Sequence, residues 1–187
     1  MLRVISGSAR GHKLKTPKGL STRPTTDRVK ESVFNIISAY IEDADILDLF
    51  SGTGSLGIEA LSRGAHRGVF VDESRECYGI IKDNLIHTKL NDNAEVFTND
   101  CVSAVKLLGE RKMQFNIIFM DPPYSKNLVE VALNSIEKND IIKFSGLIVA
   151  EHRSTDIVPE SAGKLVLVRR KEYGETAVSF YKCSGEV

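Results

Sequence analysis

No stretch of the chain approaches the ~18 consecutive apolar residues that a membrane-spanning helix needs. The opening run, MLRVISGSARG, lacks the apolar core of a secretory signal. Both absences predict a cytoplasmic protein with no membrane partner. Cysteine is scarce: Cys77, Cys101 and Cys183 are odd in number and show no CxxC spacing. That argues against a disulfide framework or a bound metal, and for reduced thiols. No internal repeat, low-complexity tract or long linker divides the 187 residues, so one domain with at most a small appendage is expected. Net charge is absent as well, with 25 basic residues against 25 acidic ones.

That balance hides an asymmetry. Residues 1–30 hold Arg3, Arg10, Lys13, Lys15, Lys18, Arg23, Arg28 and Lys30 against the single acid Asp27, so the rest of the chain carries the matching negative surplus. A basic arm on an acidic body suggests a polyanionic partner gripped at one end. The plain alternative is a solvated tail. LRVIS and HKLKT are short strand-like runs joined by GSARG, a hairpin signal. Residues 1–22 are therefore expected to form a basic N-terminal hairpin, an appendage for a polyanion, and residues 23–187 the main domain.

Past the arm, the apolar positions Val29, Val33, Ile36, Ile37 and Tyr40 predict a helix over 26–41, with Thr25 or Thr26 as its cap. Strands are expected at 45–50, 68–72, 94–98, 115–120 and 146–150, with helices around 55–64, 74–88, 101–110 and 127–138. Such alternation argues for an α/β fold with a parallel sheet covered on both faces. KLVLVRRKEY and ETAVSFYKC flank Gly174 and read as an antiparallel hairpin.

Ligands of such sheets bind beyond the carboxyl ends of the strands. Here those ends carry Asp48 in DLFSGTGSLG, Asp72, Asn99–Asp100 and Asp121. One acid at a strand end is usually a turn former or helix cap, but four in series call for a cationic or donor-rich ligand. Gly52, Gly54 and Gly57 fit G-x-G-x-x-G, with Asp72 about 20 residues on, which is the dinucleotide fingerprint. Asp48 argues against NAD, because it would set a charge beside the pyrophosphate. No Gly-Lys-Ser/Thr follows, so the loop is not a P-loop either. S-adenosylmethionine (SAM) carries an ammonium and a sulfonium, a ribose that suits Asp72 and an adenine amine that suits Asp100.

After the fourth strand comes MDPPYS, residues 120–125. Pro122 and Pro123 forbid continuation of the strand. The Asp121 carboxylate and the Pro122 carbonyl are acceptors for the N–H bonds of an exocyclic base amine, and they stabilise the charge that develops on it during methyl transfer. Tyr124 offers a flat face for an extruded base.

D-P-P-Y, with D-x-F-x-G-x-G before it, resembles the amino methyltransferases of adenine, cytosine or guanine. The run RVISGSARGHKLKTPKGLSTRPTTDRVKESVFNII, followed by Asp48 to Ala65 and by Tyr173–Gly174, narrows the resemblance to the RsmD-type family. That family methylates the N2 amine of one guanine in 16S ribosomal RNA of the bacterial small subunit. The likeness covers nearly the whole chain. It implies a Rossmann-like SAM-dependent methyltransferase sheet of seven strands, mostly parallel, with the last inserted antiparallel. It assigns the SAM pocket to Asp48, Ser51, Gly52, Gly54, Asp72 and Asp100, and the amine site to Asp121, Pro122 and Tyr124. The RNA grip would come from Arg3, Arg10, His12, Lys13, Lys15, Arg23 and Arg28. Capping by Thr25 and plain exposure of Arg28 and His12 are the simpler alternatives. Glu151–His152 is expected after the fifth strand, on the same rim. The competing functions are amino methylation of adenine N6 or cytosine N4 in RNA or DNA, a NAD-type oxidoreductase, and a non-catalytic RNA-binding module.

Overall fold

The computed structural model describes residues 2–17, 27–123 and 127–185. Helices and strands alternate from α1 (Asp27–Ile36) through β1 (Asp45–Leu49), α2 (Ser55–Ser62), β2 (Arg67–Asp72), α3 (Arg75–Thr88) and β3 (Ala94–Thr98). α4 (Cys101–Glu110), β4 (Phe115–Met120), α5 (Leu128–Asn139) and β5 (Ile142–Arg153) continue the pattern. β6 (Ser161–Ala162), β7 (Leu165–Tyr173) and β8 (Thr176–Cys183) close the chain. They form one sheet in the order β3-β2-β1-β4-β5-β8-β7-β6.

The first five strands run parallel, and β8 inserts antiparallel between β5 and β7. The chain reverses its direction of travel across the sheet between β1 and β4, whose register pairs Leu49 with Met120. A crevice opens at such a switch point, outside the carboxyl ends of the strands. Asp48 on β1 and Asp121, just past the end of β4, flank it.

Alternation along each strand sends side chains to opposite faces. Ile46, Phe70, Phe119 and Val149 meet Phe34 of α1, Ile58 of α2 and Ile81 of α3. Leu47, Val71, Ile118 and Ile148 meet Val105 of α4 and Leu133 of α5. Two apolar faces require two helical layers, which is the covered parallel sheet that the alternation predicts.

Beyond shifts of a residue or two, the structure departs from expectation in three places. The first helix ends at Ile36 and gives way to a short 3-10 turn at Ser38–Tyr40. β5 starts four residues earlier than 146 and ends three later than 150. Its early part passes a register shift opposite Phe115 and Ile117, where Lys143 bonds Asn116 and Asp45. That polar stretch masks the apolar period in the sequence. The sheet also has eight strands rather than seven, because Ser161–Ala162 pairs with Leu165–Val166. Two residues are too short to show a period.

The basic arm folds back on itself, with the Val4 N–H on the His12 carbonyl and the Leu14 N–H on the Leu2 carbonyl, yet among the described residues only one bridge, Arg3 to Lys13, is ladder-like. Leu2, Val4, Ala9 and Leu14 are buried in the core on the α1–α3 side. At Gly7 the backbone crosses the end of α2 so closely that a Cβ would lie 1.7 Å from the Ser62 carbonyl oxygen. The boundary at 22/23 and the cap at Thr25 or Thr26 lie outside the described residues.

Candidate active site at the strand ends

Asp48 is the last acid on β1 before the glycine loop and is 2% exposed. Its Oδ2 accepts the Gly57 N–H at 2.9 Å, which ties the strand to the first turn of α2. Burial raises its pKa to about 7; the Gly57 bond works against that rise and the nearby Asp72 adds to it. Gly57 has no room for a side chain: a Cβ there would lie 2.3 Å from the Phe70 ring. Ser51 donates from Oγ to the Asp48 carbonyl at 2.5 Å and accepts the Val71 N–H at 3.0 Å, which pins the loop across two strands.

Between them Phe50 takes a φ of +77°, and Gly52 and Gly54 follow at +55° and +76°. The glycines adopt the left-handed region freely. Phe50 does not, and a bulky residue there costs of order 1–3 kcal/mol. Bonds from Phe50 and Ser51 to the Val71 carbonyl hold it in place. Phe50 lines the crevice, so this strained stretch of backbone forms part of its wall.

Asp72 accepts the Gly52 N–H at 2.8 Å and the Ser74 N–H at 2.9 Å. A carboxylate has about four acceptor sites, so these two backbone bonds leave Asp72 capacity for a ligand. Asp100 caps α4 by accepting the Ser103 N–H at 3.0 Å; the Ser103 side chain first, and then this N–H, hold its carboxyl below the ordinary range. The simple capping role is therefore present there too.

Asp121 follows β4 and is half-buried, Pro122 is buried, and Pro123 is exposed. Met120 pairs with Ala150, so Asp121 and Glu151 come next on adjacent strands. Met120 and Ala150 face the α4–α5 side, which turns Asp121 and Glu151 to the other face, that of Asp48. Burial, then the charges of Glu151 and Asp48, push the Asp121 carboxyl up.

These residues line a cavity of about 1110 Å³. Asp48, Asp72, Glu73, Asp100, Asp121 and Glu175 contribute to its wall, with Arg153 as the one cation among the described lining residues. Ser51 and Gly52 also line it. Gly54 does not; it caps α2 from behind the loop.

The expected 151–152 pair lies within β5 rather than after it. Glu151 is buried beside the crevice, whereas His152 turns to the opposite face and contacts Ser179 at 2.9 Å. Burial lowers its pKa, and it has no place in the cavity wall. Of the arm's cations, Arg3 pairs with Asp27 and Lys15 with Asp83, while Arg10, Lys13 and Arg28 are exposed. His12 sits edge-on to His87 and contacts the Ala9 carbonyl. Arg23 and Tyr124 lie outside the described residues.

Three buried residues were not expected from the sequence: Lys30, Glu59 and Asn84. Glu59 accepts the Ile5 and Ser6 N–H groups and the Arg63 Nε, and Lys30 lies 3.3 Å from it. All three sit in helices, where a polar side chain ordinarily signals the solvated face.

A family model described as Conserved hypothetical protein 95 matches residues 2–182. The ribosomal RNA small subunit methyltransferase D of Escherichia coli strain K12 is 35% identical over 97% of this chain and 89% of its own length. Its namesake in Haemophilus influenzae is 34% identical over 97% of this chain and 93% of its own. Among solved structures, yhhF from Escherichia coli superposes with a TM-score of 0.87 at 36% identity, covering 99% of each chain. The hypothetical protein TTHA0928 from Thermus thermophilus gives 0.84 at 27% identity, covering 97% of this chain and 99% of that one. The chain belongs to the Conserved hypothetical protein 95 family, the family of the ribosomal RNA small subunit methyltransferase D proteins.

Proposed function

We propose that the protein transfers a methyl group from SAM to the exocyclic N2 amine of a guanine in 16S ribosomal RNA, within the small subunit or its precursor. The observation that carries this reading is the carboxylate-lined crevice between β1 and β4, where a glycine loop faces the Asp121–Pro122 corner. The relatives' names supply the RNA, and the family resemblance supplies the guanine.

The residues fit SAM. Among the described lining residues, six carboxylates against one arginine favour a cationic ligand and oppose the pyrophosphate of a dinucleotide. Asp48 and the Gly52 backbone would hold the methionine end, Asp72 the ribose hydroxyls and Asp100 the adenine amine. When bound, SAM supplies an electrophilic methyl on a sulfonium centre.

The chain's own part is to bring the nucleophile to that methyl in line. Asp121 and the Pro122 carbonyl accept the N–H bonds of the target amine, and a proline there adds no competing N–H. They stabilise the positive charge that develops on nitrogen. The amine releases its proton readily after transfer, so no strong base is needed beforehand. Tyr124, two residues past Pro122 in the sequence, is assigned the stacking face for the base. Arg3, Arg10, His12, Lys13, Lys15, Arg23 and Arg28 grip the RNA.

Labelled SAM incubated with unmodified small-subunit particles, followed by nucleoside mass spectrometry, tests this reading. N2-methylguanosine is the expected product. N6-methyladenosine or N4-methylcytidine would remove the guanine assignment, and no transfer at all would remove the enzyme.

A further inference from the structure

Asn84 lies on α3, and its side chain is completely buried. Its Oδ1 accepts the Lys15 N–H at 2.7 Å. Its Nδ2 donates to the Lys15 carbonyl at 3.1 Å and to the Thr53 carbonyl at 2.9 Å. Lys15 belongs to the basic arm and Thr53 to the glycine loop. The orientation of the carboxamide follows from this network, since only its oxygen can receive the Lys15 N–H. Asn84 therefore spends three bonds on two segments far from it in sequence.

A second buried group repeats the bridge. Lys30 Nζ donates to the Arg3 carbonyl at 2.6 Å and to Ser55 Oγ at 3.2 Å, joining the arm to the start of α2. Between the two bridges, Leu2, Thr16 and Pro17 of the arm stand in the cavity wall with Gly52, Thr53 and Ser55. The arm is thus a wall of the crevice as well as a basic surface.

We propose that Asn84 is a positioning residue that couples the arm to the glycine loop, so that a ligand in the crevice orders the arm for RNA. The coupling is reciprocal: RNA on the arm must tighten the crevice by the same factor. The inference rests on the proposed assignment of the crevice to SAM and of the arm to RNA. Asn84 itself touches neither ligand.

Hydrogen exchange on the full chain, with S-adenosylhomocysteine as the probe and no RNA, tests it. In the unaltered protein the probe should slow exchange at the Gly52 and Gly54 amides. It should also slow the arm amides of Val4, Gly11, Leu14 and Lys15 by about 5- to 150-fold, the ordinary span of a coupling factor. Asn84→Ala should keep the loop protection and lose the arm protection. Asn84→Leu, which refills the space without a polar group, should do the same and guards against a packing effect. Arm protection that survives in both variants overturns the role of Asn84. Loop protection without arm protection in the unaltered protein overturns the coupling and leaves the crevice assignment standing. Protection at neither place removes both, and neither of these last two outcomes depends on the variants folding.

Discussion

Glu59 and Asp48 are both buried carboxylates on the α1–α3 side of the sheet, and their surroundings are opposite. Glu59 has Lys30 and Arg63 as ion-pair partners and two backbone N–H donors from the arm. Among the described residues, Asp48 has one N–H donor, from Gly57, and the charges that act on it and on Asp121 are other carboxylates. A neutralised buried acid fastens elements together. An acid buried among acids costs stability, a cost that the proposed cationic ligand would offset. The first cluster joins the arm, α1 and α2, whereas the second lines the crevice.

The comparison is sharpest if the neutralised side is broken first. Glu59→Gln leaves Lys30 buried without its counter-charge and should destabilise the fold by about 3–5 kcal/mol, read as a lower urea midpoint. An unchanged midpoint would mean that the two clusters do not differ in kind. On the rim, Asp121→Asn keeps an acceptor oxygen but loses the charge. Turnover should fall by about 10²–10³ while SAM affinity barely changes. Full activity in Asp121→Ala would sink the amine mechanism.

Asp48→Asn should move stability the other way. A carboxyl raised to about 7 in the folded state stabilises the protein fully at pH below its unfolded value. That contribution is lost as pH rises through about 7. The variant should therefore be more stable than the parent at pH 8, by about 1–4 kcal/mol, with little difference at pH 4. The same substitution should weaken SAM by about 1.5–3 kcal/mol, the worth of a hydrogen bond to a charged group. Thermal melts at the two pH values check the first part and calorimetry the second.

The smallest effects belong to the arm. Arg10→Ala and Lys13→Ala should each flatten the dependence of log RNA affinity on log salt by about 0.7–0.9. Arg3 and Lys15 already hold exposed ion pairs, worth at most about 1 kcal/mol each, and can exchange them for phosphate at low cost. Deleting the arm would not isolate this effect, because Leu2, Val4, Ala9 and Leu14 belong to the core.

The parts of the site that were legible in the sequence are those where local chemistry is unusual. Two prolines after an acid at a strand end, and three glycines after another, announce themselves without a fold. Asp72 and Asp100 were legible as strand-end acids, but their backbone bonds show that part of that signal is ordinary turn and cap chemistry. Lys30, Glu59 and Asn84 were illegible because their partners are remote: Asn84 meets Lys15 from 69 residues away. No period distinguishes them from solvated helix positions, although Glu59 falls within the Asp48–Ala65 run that carries the family resemblance. His152 was misjudged with Glu151 because the strand runs to Arg153, and alternation then sends neighbours to opposite faces.

The central claim is that the crevice holds acidic charge in wait for a cation, and the pH dependence of SAM affinity tests it most directly. Calorimetric titration from about pH 5.5 to about pH 8 should show affinity rising by up to about tenfold per pH unit below 7 and levelling above it, as one proton is released on binding. Asp48→Asn should flatten that slope. Affinity that stays constant across the whole range in the unaltered protein would contradict the account.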